Sequence, residues 1–409
     1  MTNLKLNETP IRTVKNYGIN NIKLENINVP DNISEFNGLK ITGISADGKV
    51  TVKENVCKND FKYGNGDILA KQIEEKSNKN LCIEINEKLN EELFLDFVFS
   101  KDSVNLVENV LIKANENTNG TVIIRFSSKE ELEYYHNGQI KINAEKNAKL
   151  NIVLVNLLNN KTNHFLAIEN VIKENAEVKY ITAEFGGKNT IINYYTNLQE
   201  KCANNEISTI YLGGENQIID LNYIVEAYGE KTNIDMDLKG AISGNCRKHF
   251  KGTIDFKKGC KKSKGNENEY CTILSDKAKS IALPMLLCTE EDVEGNHSTA
   301  AGKIDSKKLF YLMTRGLSKA DSERLIVRAQ FNSVIEKIKN EEIKNNILEV
   351  INRWFFWLGP FLFVKRNGPS EKRNDHFAKR NGPNTKKGEK NEHKTRLSTT
   401  TKPKHSIPR

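Results

Sequence analysis

The sequence predicts a mainly β chain followed by a short helical segment and a basic low-complexity tail. Three observations carry that expectation. Between about 80 and 285, stretches of alternating apolar and polar residues recur every 10 to 20 residues, rich in β-branched and aromatic side chains. After Asp305 the apolar spacing changes to a helical period. From Lys365 onward apolar residues almost vanish while Lys, Asn, Gly and Pro accumulate.

Residues 1–80 read as a mixed segment, with Pro10, Pro30 and several Asn-containing turn signals. The strand pattern then runs through Val122–Phe126, Leu150–Val155, Glu177–Ile181, Thr190–Tyr195, Ile207–Leu212 and Ile218–Tyr223, each bounded by Asn, Gly or Lys turns. No amphipathic helix of 10 to 15 residues separates these strands, which argues against a βαβ fold. A sandwich, a barrel and a β-solenoid remain open. Two hundred residues of short strands favour the solenoid modestly, although no tight repeat motif is legible.

Leu309, Phe310, Leu312 and Met313 mark a short helix that stops at Gly316, a residue suited to a left-handed cap. Ser318-Lys319-Ala320-Asp321 is a capping-box variant that opens a second helix, whose buried face is expected at Leu325, Ile326, Ala329, Val334, Ile335 and Ile338. A third helix is expected over about Asn340 to Trp357. The tail holds two copies of Lys-Arg-Asn-Gly-Pro, at 365–369 and 379–383, and buries too little apolar surface to offset chain entropy. The expected organisation is a mixed segment at 1–80, a β core at 81–304, a helical subdomain at 305–358 and a disordered basic tail at 359–409.

Charge excludes one class of function for the body. The net charge of +9 arises in the tail, where residues 365–409 hold 14 Lys/Arg against 4 Asp/Glu, which leaves the body near neutral. Nucleic-acid or membrane-surface binding would therefore rest on the tail alone. The opening MTNLKLNETPIRT lacks the apolar stretch of a secretory signal. The longest apolar run, Trp354–Val364, is 11 residues and is too short for a membrane span, which needs about 20. Seven scattered cysteines (Cys57, Cys82, Cys202, Cys246, Cys260, Cys271 and Cys288) have no framework spacing, so reduced thiols and a cytoplasmic location are expected.

The most informative segment is 287–316. It sets a lone histidine, His297, in what reads as an acidic, small-residue turn directly before the first helix. Neutral imidazole is a ligand for iron, while a hydrogen bond to a backbone carbonyl is the plainer role. Cys288 is the nearest thiol, either a soft ligand or a small buried hydrophobe. The acidic run Glu290-Glu291-Asp292 with Glu294 reads as a solvated turn. Cys246, His249, Cys260 and Cys271 lack the paired doublets of a structural zinc site, and Cys260 and Cys271 are expected to pack on adjacent coils. No phosphate loop, nucleophile elbow, HExxH or dinucleotide fingerprint is present, so no catalytic residue is assigned.

Asn296-His297, Gly302-x-Ile304-Asp305, Leu309-Phe310-Tyr311-Leu312 and Arg315-Gly316 together resemble the SufB/SufD family, the scaffold subunits of iron–sulfur cluster assembly. Phe250-x-Gly252-x-Ile254, Leu274-Ser275-Asp276 and Pro284 extend the resemblance, which is firm from about Phe250 to Trp354 and faint before it. It implies a right-handed parallel β-solenoid (β-helix) core with a C-terminal helical subdomain, and a non-enzymatic scaffold that pairs with a SufB-like subunit and docks a SufC-like ATPase. The implied docking positions are Phe310, Tyr311, Arg315, Gly316 and Ser318. The implied cargo is iron or a transient iron–sulfur cluster at a subunit interface, with His297 as one ligand and none held tightly by this chain alone. Gly295 replaces the cysteine usual in SufD-type chains. Ser298 and Ala278 stand where SufB-type chains carry glutamate and cysteine, so the chain resembles a divergent SufD. The competing readings are an exported-type solenoid enzyme acting on carbohydrate, which needs paired carboxylates on one face, and a nucleic-acid or membrane-surface binder acting through the tail.

Overall fold

A computed structural model describes residues 1–13, 18–44, 48–54 and 61–358. Cys57 and the basic tail 359–409 lie outside the described residues. The N-terminal part contains β1 (Thr2–Leu6), β2 (Ile22–Ile27), β3 (Leu39–Thr42), β4 (Val50–Glu54) and α1 (Asp67–Lys76). The core follows as β5 (Lys79–Ile85), β6 (Leu93–Phe99), β7 (Asn105–Ala114), β8 (Asn119–Ser128), β9 (Tyr135–Ala144), β10 (Lys149–Leu157), β11 (Asn163–Ile172) and β12 (Glu177–Glu184). It continues with β13 (Asn189–Leu198), β14 (Asn204–Gly213), β15 (Ile218–Ala227), β16 (Asn233–Ile242), β17 (Arg247–Phe256), β18 (Ser263–Ile273), β19 (Lys279–Cys288) and β20 (Val293–Lys303). The helices α2 (Ser306–Thr314), α3 (Lys319–Ile335) and α4 (Glu341–Leu358) close the described chain.

From β5 on, successive strands alternate between two sheets, and each strand pairs in parallel with the strand two places along the chain. One sheet runs β4-β5-β7-β9 through to β19, and the other runs β3-β6-β8-β10 through to β20. This is the parallel β-solenoid that the resemblance implies. At its first end β3 and β4 pair antiparallel with β6 and β5, so short strands cover the edges there. At its last end β19 and β20 are the terminal strands of their sheets.

Alternation along each strand sorts side chains to two destinations. In β10, Leu150, Ile152 and Leu154 point into the solenoid, where a continuous core runs from Phe36 and Leu81 to Cys271 and Ala278. Val153 and Val155 point outward and pack under α3 and α4, against Phe331, Val334, Ile347 and Phe355. On the other sheet, Val107, Tyr135, Phe165 and Ile191 point outward beneath α1, β1 and β2. Central strands such as β13 are therefore buried on both faces, which explains their nearly unbroken apolar reading. Polar staples fix the helices on the sheet: Arg125 is bidentate on Asp96 and reaches Glu342 and Asn346 on α4. Lys337 bonds Glu206 and Ser208.

One turn of each coil carries a stacked column of left-handed residues. Asn117, Asn147 and Asn175 have φ of 62°, 59° and 54°, followed along the column by Cys202, Lys231 and Lys262. Asparagine tolerates this conformation, and the side-chain amides of Asn147 and Asn175 each donate to the preceding asparagine at 2.8 Å. The helix signals also take their expected forms. Gly316 adopts φ +93° after α2, and the Ser318 hydroxyl accepts from the Asp321 amide at the start of α3. The buried face of α3 agrees with the expected one at Val334, Ile335 and Ile338 and departs from it earlier in the helix. Val327, Phe331, Val334 and Ile335 are buried, whereas Leu325 and Ala329 are exposed, because the sheet beneath selects the face.

Candidate functional site at the open end of the solenoid

His297 does not sit in a turn. It lies in the middle of β20, an 11-residue strand that the small residues Gly295, Ala300, Ala301 and Gly302 made turn-like in sequence. In the parallel ladder with β18, His297 pairs with Glu267 and Thr299 with Glu269. Paired residues of adjacent strands face the same side of a sheet. Glu267, Glu269 and Cys271 are buried inside the solenoid, so His297, Thr299 and Ala301 lie on its interior side. No coil follows among the described residues, and His297 is accordingly exposed.

Cys288 ends β19, where it pairs with the core residue Phe256 and so also lies on the interior side of the last coil. It is exposed rather than buried, and its thiol donates to the Glu290 carbonyl at 2.8 Å. An open cavity of about 620 Å³ at this end is lined by Phe256, Leu286, Cys288, Glu290, Val293 and Gly295. Gly295 is part of its shape, because a Cβ there would meet Leu286 at 2.8 Å and Phe256 at 3.1 Å. The acidic run turns between β19 and β20. The Gly259 amide donates to Glu290 at 2.9 Å and holds that carboxyl below its usual range.

Beneath this coil lies a polar cluster that the sequence reading did not single out. Lys248 on β17 and Glu269 on β18 form an ion pair at 2.7 Å with both side chains fully buried, and the Tyr211 hydroxyl donates to the same carboxylate oxygen at 2.5 Å. Glu267, also fully buried, has no hydrogen-bond partner for either carboxylate oxygen. Burial, with Glu269 close by, pushes its carboxyl up to about 8. Gly252 makes room for it, since a Cβ there would stand 2.4 to 2.6 Å from the Glu267 carboxylate. The available signal was a phase violation. Lys248 alternates in step with Phe250 and Ile254, so a charge occupies a core position. Cys246, Cys260 and Cys271 are all buried. Among the described residues, no group of three or more His, Cys, Asp or Glu side chains is arranged to hold a metal ion.

The helical candidates stand apart on α2, which buries none of its residues. Phe310 and Tyr311 are 69% and 57% exposed, and Met313, Leu317 and Leu325 are exposed with them. The Arg315 guanidinium lies 5.3 Å from the Tyr311 ring centroid. Arg315 is the C-terminal cap of α2, Gly316 follows it with the left-handed φ that turns the chain, and Ser318 is the N-terminal cap of α3. No helix of the described residues is long and apolar enough to cross a membrane.

Comparison with known proteins agrees with this architecture. The family model described as SUF system FeS cluster assembly, SufBD core domain, matches residues 97–330, which is more than half of the chain and reaches well before Phe250. The iron–sulfur cluster assembly protein SufD of Bacillus subtilis is 27% identical over 164 residues, covering 40% of this chain and 38% of the relative. SufD of Escherichia coli is 24% identical over 238 residues, covering 58% of this chain and 56% of the relative. An iron–sulfur cluster assembly SufBD family protein of Pyrococcus horikoshii is 32% identical over 145 residues, covering 35% of this chain and 32% of the relative. The chain thus matches between a third and a little over half of the length of these relatives. With a solenoid core, a matching family model and SufD relatives all in agreement, the chain belongs to the SufBD family of the SUF system for iron–sulfur cluster assembly and is SufD-like.

Proposed function

We propose that this chain is a non-enzymatic scaffold subunit that pairs with a SufB-like subunit through its last coil and docks a SufC-like ATPase through α2 and the turn into α3. The observation that carries the reading is the contrast between the two ends of the solenoid. The first is closed by antiparallel strands, whereas among the described residues β19 and β20 have no strand beyond them; β20 exposes most of its 11 side chains, while the 10 of β19 are mostly half-buried. Long, exposed edge strands pair with another chain unless they are protected. In such a complex, β-strand addition would bring a partner's residues over His297, making it one ligand of a shared site for iron or a nascent cluster. Imidazole and thiolate suit that cargo, with Cys288 as a second, weaker candidate.

Phe310, Tyr311 and Arg315 supply the aromatic and guanidinium groups that anchor interfaces. Gly316 and Ser318 set the angle at which that surface is displayed. ATP hydrolysis belongs to the partner in this reading, and the cytoplasm is its place. The test is anaerobic co-purification of the tagged chain with SufB-like and SufC-like proteins, comparing wild type, His297→Ala and the double variant F310A/Y311A. A complex whose iron and sulfide fall in His297→Ala while the partners are retained supports the site. Failure of wild type to form any complex rejects the scaffold reading.

A further inference from the structure

We propose that Glu267 is a second cation donor of the terminal coil, forming with His297 a two-donor half-site for a divalent iron-like cation that is completed from outside this chain. The inference rests on the placement of His297 proposed above and adds a residue, a ligand class and a reason for the site's depth.

Four observations converge on Glu267. It sits one coil beneath His297 in direct ladder register, and adjacent parallel strands are about 4.8 Å apart. Two donors stacked at that spacing on one face are within reach of a single ion. Second, Glu267 is fully buried and neither carboxylate oxygen has a partner. Uncompensated buried polar groups are costly and call for an explanation, such as an ion that the site receives. Third, the neighbouring carboxylate is neutralised internally, because Lys248 and Tyr211 both donate to Glu269. Lys248 is therefore committed, and the carboxylate nearest His297 is the one left over. Fourth, the pocket for Glu267 is shaped by the absence of a side chain at Gly252, whose Cβ would occupy the carboxylate's place.

Imidazole with a carboxylate is an N,O donor set suited to ferrous iron and its analogues. Two donors leave coordination positions open, which suits a cargo taken up and passed on. A partner's lysine or arginine inserted at the same place is the competing occupant. It would use Glu267 without His297.

The test titrates the full chain, alone and without oxygen, with Co²⁺ as a spectroscopic stand-in for Fe²⁺. Wild type is compared with Glu267→Gln, Gly252→Ala, His297→Ala and the exposed-strand control Glu294→Gln, with unfolding midpoints measured in parallel. Wild type should bind one Co²⁺ with a nitrogen/oxygen visible spectrum. His297→Ala and Glu267→Gln should each weaken binding tenfold or more, Gly252→Ala should weaken it with the charge retained, and Glu294→Gln should leave it unchanged. Unaltered Co²⁺ affinity in Glu267→Gln would overturn the proposal, as would absence of binding by wild type. Loss in His297→Ala alone would reject Glu267 and leave the His297 reading standing. Loss in Glu267→Gln alone would also overturn the half-site, leaving Glu267 as a cation donor without His297. Complex formation with the SufB-like partner is read separately, so failure of the scaffold reading is distinguishable from failure of this one.

Discussion

Lys248→Met is the sharpest probe of the solenoid's polar interior. Lys248 and Glu269 are 2.7 Å apart with neither side chain exposed, and Tyr211 donates to the same carboxylate. Removing one partner of a buried pair leaves the other charge uncompensated, a cost of about 3–5 kcal/mol. Lys248→Met should therefore destabilise by that amount, and Glu269→Gln by a similar one. The double variant K248M/E269Q removes both charges and keeps the volumes, so its cost should be only about 1–2 kcal/mol. The coupling energy from the cycle is then several kcal/mol, well above the few tenths expected of independent sites. Urea unfolding followed by circular dichroism gives the stabilities. Because coils of a solenoid can unfold in part, amide exchange in Ser263–Ile273 should be followed as well. If Lys248→Met costs under about 1 kcal/mol, or the double variant equals the sum of the singles, the pair is effectively solvated and does not act as a buried ion pair.

Three further outcomes are expected. F310A/Y311A should leave the unfolding free energy within about 0.5 kcal/mol of wild type, since both rings are exposed. If α2 docks an ATPase as proposed, the same variant should weaken that binding by at least tenfold in calorimetry. Glu108, fully buried beside His136, has its carboxyl pushed up to about 8 by burial, while burial holds His136 down to about 3. Between the ordinary carboxyl value and 8 the unfolded chain has lost a proton that the folded chain keeps. The Glu108 contribution to stability is thus fully present at low pH and is lost as pH rises through 8. Relative to wild type, Glu108→Gln should therefore be more stabilising at pH 8 than at pH 5, by on the order of 3 kcal/mol; unfolding midpoints at the two pH values check this, and parallel profiles would refute it. His136 has the opposite sign, disfavouring the fold as pH falls below the ordinary imidazole range toward 3, but wild type and Glu108→Gln share that dependence, so the difference between them reads Glu108. Asn147→Val should destabilise by about 1–2 kcal/mol at its left-handed turn, and Asn147→Gly should cost less, as thermal unfolding will show.

Much of the fold was legible because its signals are local. Alternation marked β8, β10 and β12 to β15. The Ser318 cap and the Gly316 stop bracketed the helices, since capping depends on three or four adjacent residues. The repeat was not legible, and the ladder explains why. Paired positions are 26 residues apart from Asn163 to Asn189 but 32 apart from Arg247 to Lys279, because turns of different length are absorbed between strands of constant register. A variable period leaves no motif to align by eye. The earlier part of the α3 face was misplaced for a related reason: Leu325 is apolar but hangs over solvent, and the sheet chose Val327 and Phe331 instead, while Val334, Ile335 and Ile338 are buried as expected.

The candidate site divides in the same way. His297, Cys288 and the aromatic pair of α2 could be picked out by residue type, and the family resemblance gave them a meaning. Their geometry could not. His297 looked like a turn residue because its neighbours are small, and only pairing with β18 reveals a strand. Glu267 is an unremarkable glutamate in a Lys- and Asn-rich stretch until the ladder sets it inside, under His297, against a glycine on the opposite sheet. Local signals were enough to place β8, β10 and β12 to β15, the helices with their caps, and the family resemblance, since each depends on residues close along the chain. Which polar groups face inward, and which coil has none above it among the described residues, became visible in the ladder. Those properties depend on what stacks above and below each strand, about thirty residues away in either direction.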